Sequence, residues 1–261
     1  FAIKGAALAT VLSQATVFFI FIYLIIIKDK NYISLDLKNF KFNHQILSNI
    51  LKIGIPASLS MLIMSVGLFF YNMILSNTEF SSSAIAAYST CHRIEHLFFI
   101  PIISLATSMV TLIGMFYGAK KNNLLNDLIY FALKISITIS IIYAVFFLTF
   151  SENILSLFTN DDKIINIGVG YFNVFAFAIP FISIGMTCSR AMQGLGKAYP
   201  MFIITCLRVI IISCFLAYYF INILNKSIDF AWISILISCI ASSIISFLWL
   251  LNVKSKLNIS S

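Results

Sequence analysis

Residues 84–117 read AIAAYSTCHRIEHLFFIPIISLATSMVTLIGMFY, and the fold turns on this stretch. A helix of ~20 apolar residues crosses the ~30 Å hydrocarbon layer of a bilayer, and this run is longer than that. It lacks the period-two alternation of a barrel strand. Only His92-Arg93-Ile94-Glu95-His96 interrupts it with charge. A charged side chain at the bilayer centre costs about 2.5–3.5 kcal/mol on insertion scales. Such a cluster therefore faces protein or water and marks a polar path or a switch.

The rest of the chain reads the same way. It is 61% hydrophobic and 10% charged, whereas soluble domains carry about 25% charged residues. A soluble domain of this size would expose a large apolar patch. Six further stretches are long enough to span: 5–27, 53–75, 124–150, 164–192, 198–221 and 230–251. The predicted fold is an all-α, polytopic transmembrane helix bundle of seven spans. Pro101 and Pro180 lie inside the third and fifth spans, where each removes a backbone bond and kinks the helix.

A net charge of +8 raises the question of nucleic acid. No basic face interleaved with aromatics appears, so no nucleic-acid partner is expected. The connections explain the balance instead. One side holds Lys28, Lys30, Lys38, Lys41, Lys52, Lys120, Lys121, Arg190, Lys197, Lys254 and Lys256. The other holds Lys4, Lys163 and Lys226 beside Glu79, Glu152, Asp161, Asp162 and Asp229. Basic residues favour the cytoplasmic side, which puts the N-terminus outside and the C-terminus in the cytoplasm. Residue 1 is Phe and no charged segment precedes a short apolar core, so no signal peptide is expected and the chain reads as an internal start. The stretch 28–52 is the one long linker, and its alternating Leu, Phe, Lys and Asp suit an interfacial segment. The five cysteines all lie in apolar runs without a CxxC pair, as small apolar residues do.

Arg93, Glu95, Lys134 and Arg208 are the ionisable residues, histidines aside, well inside spans. Lys134 lies near enough to the cytoplasmic end of its helix to snorkel. Arg208 is too deep for that and needs a carboxylate or several carbonyls. Glu95 is the obvious carboxylate for Arg93 or Arg208. On a helix, His92 and His96 share a face with Glu95 beside both, while Arg93 does not face Glu95. A His–Glu pair in a wet cavity can handle protons, or it can pin helices together. Asn72 and Asn173 can bond backbone or neighbouring helices.

The same five residues also spell H-x-x-E-H, the inverted zinc-peptidase signature. Zinc would need both imidazoles, a third ligand and an open position. His44 sits in the linker, and Glu152, the possible third ligand, sits at the outer membrane edge. A membrane-embedded hydrolase using His92, Glu95 and His96 is the reading from another class; the expectation is no metal site and no enzyme.

Several motifs in order resemble the C-terminal half of the multidrug and toxic compound extrusion (MATE) transporters. Lys52-Ile53-Gly54-Ile55-Pro56-Ala57 looks like the start of that family's seventh helix. Ala86-Ala87-Tyr88, Arg93-Ile94-Glu95, Pro101 and Gly118-Ala119 resemble its eighth. Pro180-Phe181, Gln193-Gly194-Leu195-Gly196-Lys197 and Pro200 resemble the tenth helix and its turn into the eleventh, where Arg208 and Leu216-Ala217-Tyr218 continue the match. Gly5-Ala6-Ala7-Leu8-Ala9-Thr10 is similar to the start of the sixth.

The resemblance implies half of a two-lobed, 12-helix secondary antiporter: residues 1–27 as the last helix of the N-lobe, 28–52 as a cytoplasmic inter-lobe linker and 53–261 as the six-helix C-lobe. It implies export of cationic or amphipathic compounds in exchange for H⁺ or Na⁺ by rocking of the lobes, with no cofactor. The partners implied are the lipid bilayer, a small-molecule substrate and the missing N-terminal lobe of the same polypeptide. It marks Glu95 as the typical acidic position of this lobe. Met64 and Phe181 stand where some members carry further carboxylates, which weakens any ion site built there. The alternative within the same superfamily is a lipid-linked oligosaccharide flippase, whose cavity would be lined with Arg and Lys; Arg93 and Arg208 are the candidates.

Overall fold

A computed structural model describes residues 2–23, 42–78 and 81–257, which form helices joined by short turns, with no strand among them. The chain divides into two compact units, 1–47 and 48–261. In the first, α1 (Ala2–Ile22) is apolar over Leu8–Ile22; the end of the span expected over 5–27 and most of the linker lie outside the described residues. Six further helices are long and apolar enough to cross a membrane: α2 (His44–Leu75), α3 (Ser81–Gly118), α4 (Asn122–Ser156), α5 (Asp162–Gly194), α6 (Tyr199–Ile223) and α7 (Asp229–Lys256).

α2 begins earlier than the expected boundary at 53. The Asn43 side chain accepts from the backbone N–H groups of Gln45 (2.9 Å) and Ile46 (3.4 Å), which caps the helix there. Residues 44–52 are therefore helical, and nothing breaks the pattern before Pro56, which the helix absorbs. At the head of α5 the Asp161 side chain accepts from the Lys163 N–H at 2.9 Å. α5 ends in a Schellman turn: the Lys197 N–H bonds the Met192 carbonyl at 2.9 Å while Gly196 takes φ +76°.

α5 is the central helix, packed against α3, α4 and α7. Small residues let these helices approach. Ser234, Ser238, Ser242 and Ser246 recur at four-residue spacing on the buried side of α7. Ser246 donates to the Gly185 carbonyl at 3.1 Å and lies 3.2 Å from Ser189 on α5. Small-residue contacts of this kind replace the hydrophobic drive that is missing between helices in lipid. Gly194 is required by packing, because a Cβ there would sit 2.9 Å from the Val110 carbonyl oxygen and from Ile113.

A seam along one side of α2 meets α6 and α7. Arg208 Nη2 reaches Met64 Sδ at 3.3 Å, Val209 lies over Gly67, and Asn77 donates to Asn222 at 3.0 Å. The spacing of Met64, Gly67, Tyr71 and Ile74 follows helical neighbours at three and four residues. α6 is interrupted by two π-helical segments, Leu207–Cys214 and Tyr219–Ile223. The sequence gives no sign of them, since π and α turns differ in bonding register rather than composition. π-turns recur at functional sites, and Arg208 lies in the first.

Candidate functional site

Where α2 ends and α3, α5 and α7 begin, four helices bring aromatic and acidic side chains together. Tyr71 comes from α2, Tyr88, His92 and Glu95 from α3, Tyr171 from α5, and Trp232 from α7. Tyr71 and Tyr88 lie with ring centroids 4.9 Å apart, Tyr88 stacks on Trp232 at 5.9 Å and on His92 at 6.2 Å. Tyr171 meets Trp232 edge-on at 5.0 Å and Tyr88 at 5.8 Å. Helical spacing explains the α3 contribution: Tyr88, His92 and Glu95 are four and three residues apart and project to one side.

Glu95 is buried at 7% exposure. Its Oε2 lies 3.6 Å from His92 Nδ1, and its Oε1 has no hydrogen-bond partner. A distance of 3.6 Å is an electrostatic contact rather than a hydrogen bond. The Trp232 indole N–H and the Asn72 side-chain oxygen are also buried without a partner. The open Glu95 oxygen can accept a proton, a cation or a hydrogen bond from water, and the Trp232 N–H can donate to an acceptor.

The sequence expectation for the cations is corrected here. Among the described residues the ion pair of Glu95 is with His92, and neither Arg93 nor Arg208 lies within 4.0 Å of it. Arg93 and His96 are both exposed on α3: helical rotation turns Arg93 away from Glu95, whereas His96, expected on the His92 face, stays outside the cluster. Arg208 is half-buried and held by Met64; it influences Glu95 and His92 only at longer range. Asn72 stands beside Tyr71, half-buried, whereas Asn173 is exposed on α5 and does not join the cluster. Gln193 accepts from Arg190 at 3.0 Å at the opposite end of α5, so the Gln193-Gly194-Leu195-Gly196 motif shapes a turn rather than this site. Pro101 and Pro180 lie inside α3 and α5 as expected. No group of three or more His, Cys, Asp or Glu among the described residues could hold a metal ion.

Tyr71, Tyr171 and Trp232 were not singled out from the sequence. Their only signal is aromaticity, shared with many residues of a chain that is 15% Phe, Trp and Tyr. The Tyr71 hydroxyl donates to the Ala231 carbonyl and lies 3.2 Å from Ser234 Oγ. Ser234 also donates to that carbonyl at 2.6 Å, so Tyr71→Phe leaves it satisfied and the ring stack intact. The substitution is expected to cost about 1 kcal/mol, read from equilibrium unfolding in mixed micelles; a loss several times larger would mean that the hydroxyl holds α2 to α7 by itself.

The family model MatE matches residues 56–219. The chain is 25% identical over 256 residues to the probable multidrug resistance protein NorM of Thermotoga maritima, covering 97% of this chain and 53% of that protein. It is 27% identical over 197 residues to the multidrug export protein MepA of Staphylococcus aureus, covering 75% of this chain and 42% of that one. Among solved structures, a MOP superfamily transporter from Pyrococcus furiosus, described as having a binding pocket of reverse polarity that suggests a different function, superposes with a TM-score of 0.93. That match has 28% sequence identity and covers 99% of this chain and 57% of the other. The chain thus spans about half the length of the curated relatives it matches. The apolar helices, the family match and the shared architecture agree that this chain is a multi-pass membrane protein of the MatE family of transporters, not an enzyme, and matches the C-terminal half of a MATE transporter.

Proposed function

We propose that residues 1–27 are the last helix of the N-lobe, that an inter-lobe linker follows and ends where α2 starts at His44, and that the helices from α2 onward are the C-lobe of a secondary antiporter in the plasma membrane, with the N-terminus outside and the C-terminus cytoplasmic. The whole protein would export cationic or amphipathic compounds in exchange for H⁺ or Na⁺, with the lobes rocking to open alternately to each side. The observation that carries this reading is Glu95, a buried carboxylate with one oxygen unpartnered. Binding of one proton or one Na⁺ neutralises it. A ligand drives a conformational change only by binding two states unequally, and a buried carboxylate with only a half-exposed histidine beside it supplies such a difference. The names of the NorM and MepA relatives support export of drugs. The Tyr88, Tyr171 and Trp232 rings beside Glu95 suit an organic cation by cation–π attraction.

A flippase would need several cations converging on a pyrophosphate. Here Arg93 is exposed on α3 and Arg208 is half-buried on α6, which favours the antiporter. The test uses the full-length protein in proteoliposomes loaded with a fluorescent organic cation. An inward H⁺ gradient and an inward Na⁺ gradient are imposed separately. One of them is expected to accelerate efflux above leak; no response to either overturns the antiport reading.

A further inference from the structure

Lys134 takes no part in the cluster around Glu95. It is exposed on α4, and no ion pair holds it among the described residues. It borders a shallow, largely open groove along that one helix, lined by Leu124, Asp127, Leu128, Tyr130, Phe131 and Lys134. Asp127, Tyr130, Phe131 and Lys134 fall at spacings of three, four and seven residues, so they form a single outward stripe. Tyr130 is 71% exposed and Phe131 58%, while the other side of α4 packs on α3 and α5.

The depths of the two charges can be read from the helix itself. The uncharged run from Ile135 to Ser151 covers about 25 Å at the helical rise, a little less than the ~30 Å hydrocarbon layer. Lys134 therefore sits a few Å inside the layer, within reach of its edge through its flexible stem. Side chains on a helix lean toward its N-terminus, which directs Lys134 toward Asp127 and the head-group zone. Asp127 lies about 10 Å further along the axis, in the head-group zone. From the bilayer centre outward the order is apolar chain, cation, aromatic ring, anion.

We propose that this groove on α4 binds a phospholipid whose phosphate carries a primary ammonium, of the phosphatidylethanolamine type. The charge order of that lipid is the complement of the groove: acyl chains deepest, then a phosphate, then an ammonium. Lys134 meets the phosphate. Asp127 accepts hydrogen bonds from the ammonium, which a trimethylammonium could not donate. Tyr130 and Phe131 flank the head group at the interface, where aromatic rings settle in membrane proteins. An anionic lipid without the ammonium would set a negative head group against Asp127.

The test is native mass spectrometry of the purified chain, released from micelles holding equal amounts of phosphatidylethanolamine, phosphatidylcholine and phosphatidylglycerol. Phosphatidylethanolamine adducts are expected to exceed each of the others by about fivefold, the weight of one charge pair near a membrane surface. Lys134→Ala should remove the retained lipid and Lys134→Arg should keep it. Asp127→Asn, an exposed change outside the hydrocarbon layer, should erase the preference over phosphatidylglycerol; it keeps the test decisive if Lys134→Ala fails to fold. Equal retention of the three lipids, a phosphatidylglycerol preference indifferent to Asp127→Asn, or a phosphatidylethanolamine preference indifferent to both Asp127→Asn and Lys134→Ala overturns the assignment.

Discussion

Replacing Glu95 by glutamine in the full-length transporter is expected to lower gradient-driven efflux at least about tenfold, equivalent to ~1.4 kcal/mol of lost drive. The protein should fold normally. Glutamine has the shape of glutamate, Oε1 is already without a partner, and the His92 contact at 3.6 Å is too long to be a strong bond. His92 is half-exposed, so removing the charge of Glu95 leaves no buried, unpaired cation behind. What disappears is the dependence of the packing energy around Tyr88, Tyr171 and Trp232 on a bound cation. A ligand that no longer distinguishes two states cannot shift them, however steep its gradient. Binding of substrate measured without a gradient should change far less than efflux does, since the aromatic rings remain. Efflux driven as well by Glu95→Gln as by the native protein, with the same pH response, would take Glu95 out of the mechanism.

The spans were legible because their signal is local. A run such as Ala84–Tyr117 needs only its own composition to announce a membrane helix, and Pro101 and Pro180 stand where they were read. The pairing within α3 was legible for the same reason: the 100° turn places His92 beside Glu95 and Arg93 away from it. Distant contacts were not. Tyr71 bonds a carbonyl 160 residues later in the chain, and one sequence does not reveal how α2 is rotated against α7. The expected Arg208–Glu95 pair failed on the same point. Two π-helical segments in α6 set the direction of each side chain there, Arg208 among them, and nothing in their composition differs from an ordinary helix. Residues 44–52 were assigned to the linker because the motif at 52–57 resembles the start of the family's seventh helix, yet Asn43 caps α2 well before it.

The contact between α2 and α6 carries the second large expectation. Gly67→Leu should destabilise the protein by about 3 kcal/mol, the upper range for overpacking a tight site. Even a single added carbon at Gly67 would fall 1.9 Å from Val209 Cγ1, far inside contact distance. Cys214 Sγ lies 3.8 Å from the Gly67 carbonyl, so α6 flanks this position on two sides and a longer side chain has no free direction toward the helix. Where rotation of the Val209 side chain does not clear the space, α6 must move away. That would draw Arg208 from Met64, one turn along the same seam. Val209→Ala should restore part of the loss in the double variant even though it removes methyl groups on its own, because it vacates the space that the new side chain needs. Unfolding in mixed micelles measures all three proteins. Additive losses, with no rescue by Val209→Ala, would mean that the two helices do not meet at Gly67, and the contact of Arg208 with Met64 would go with it.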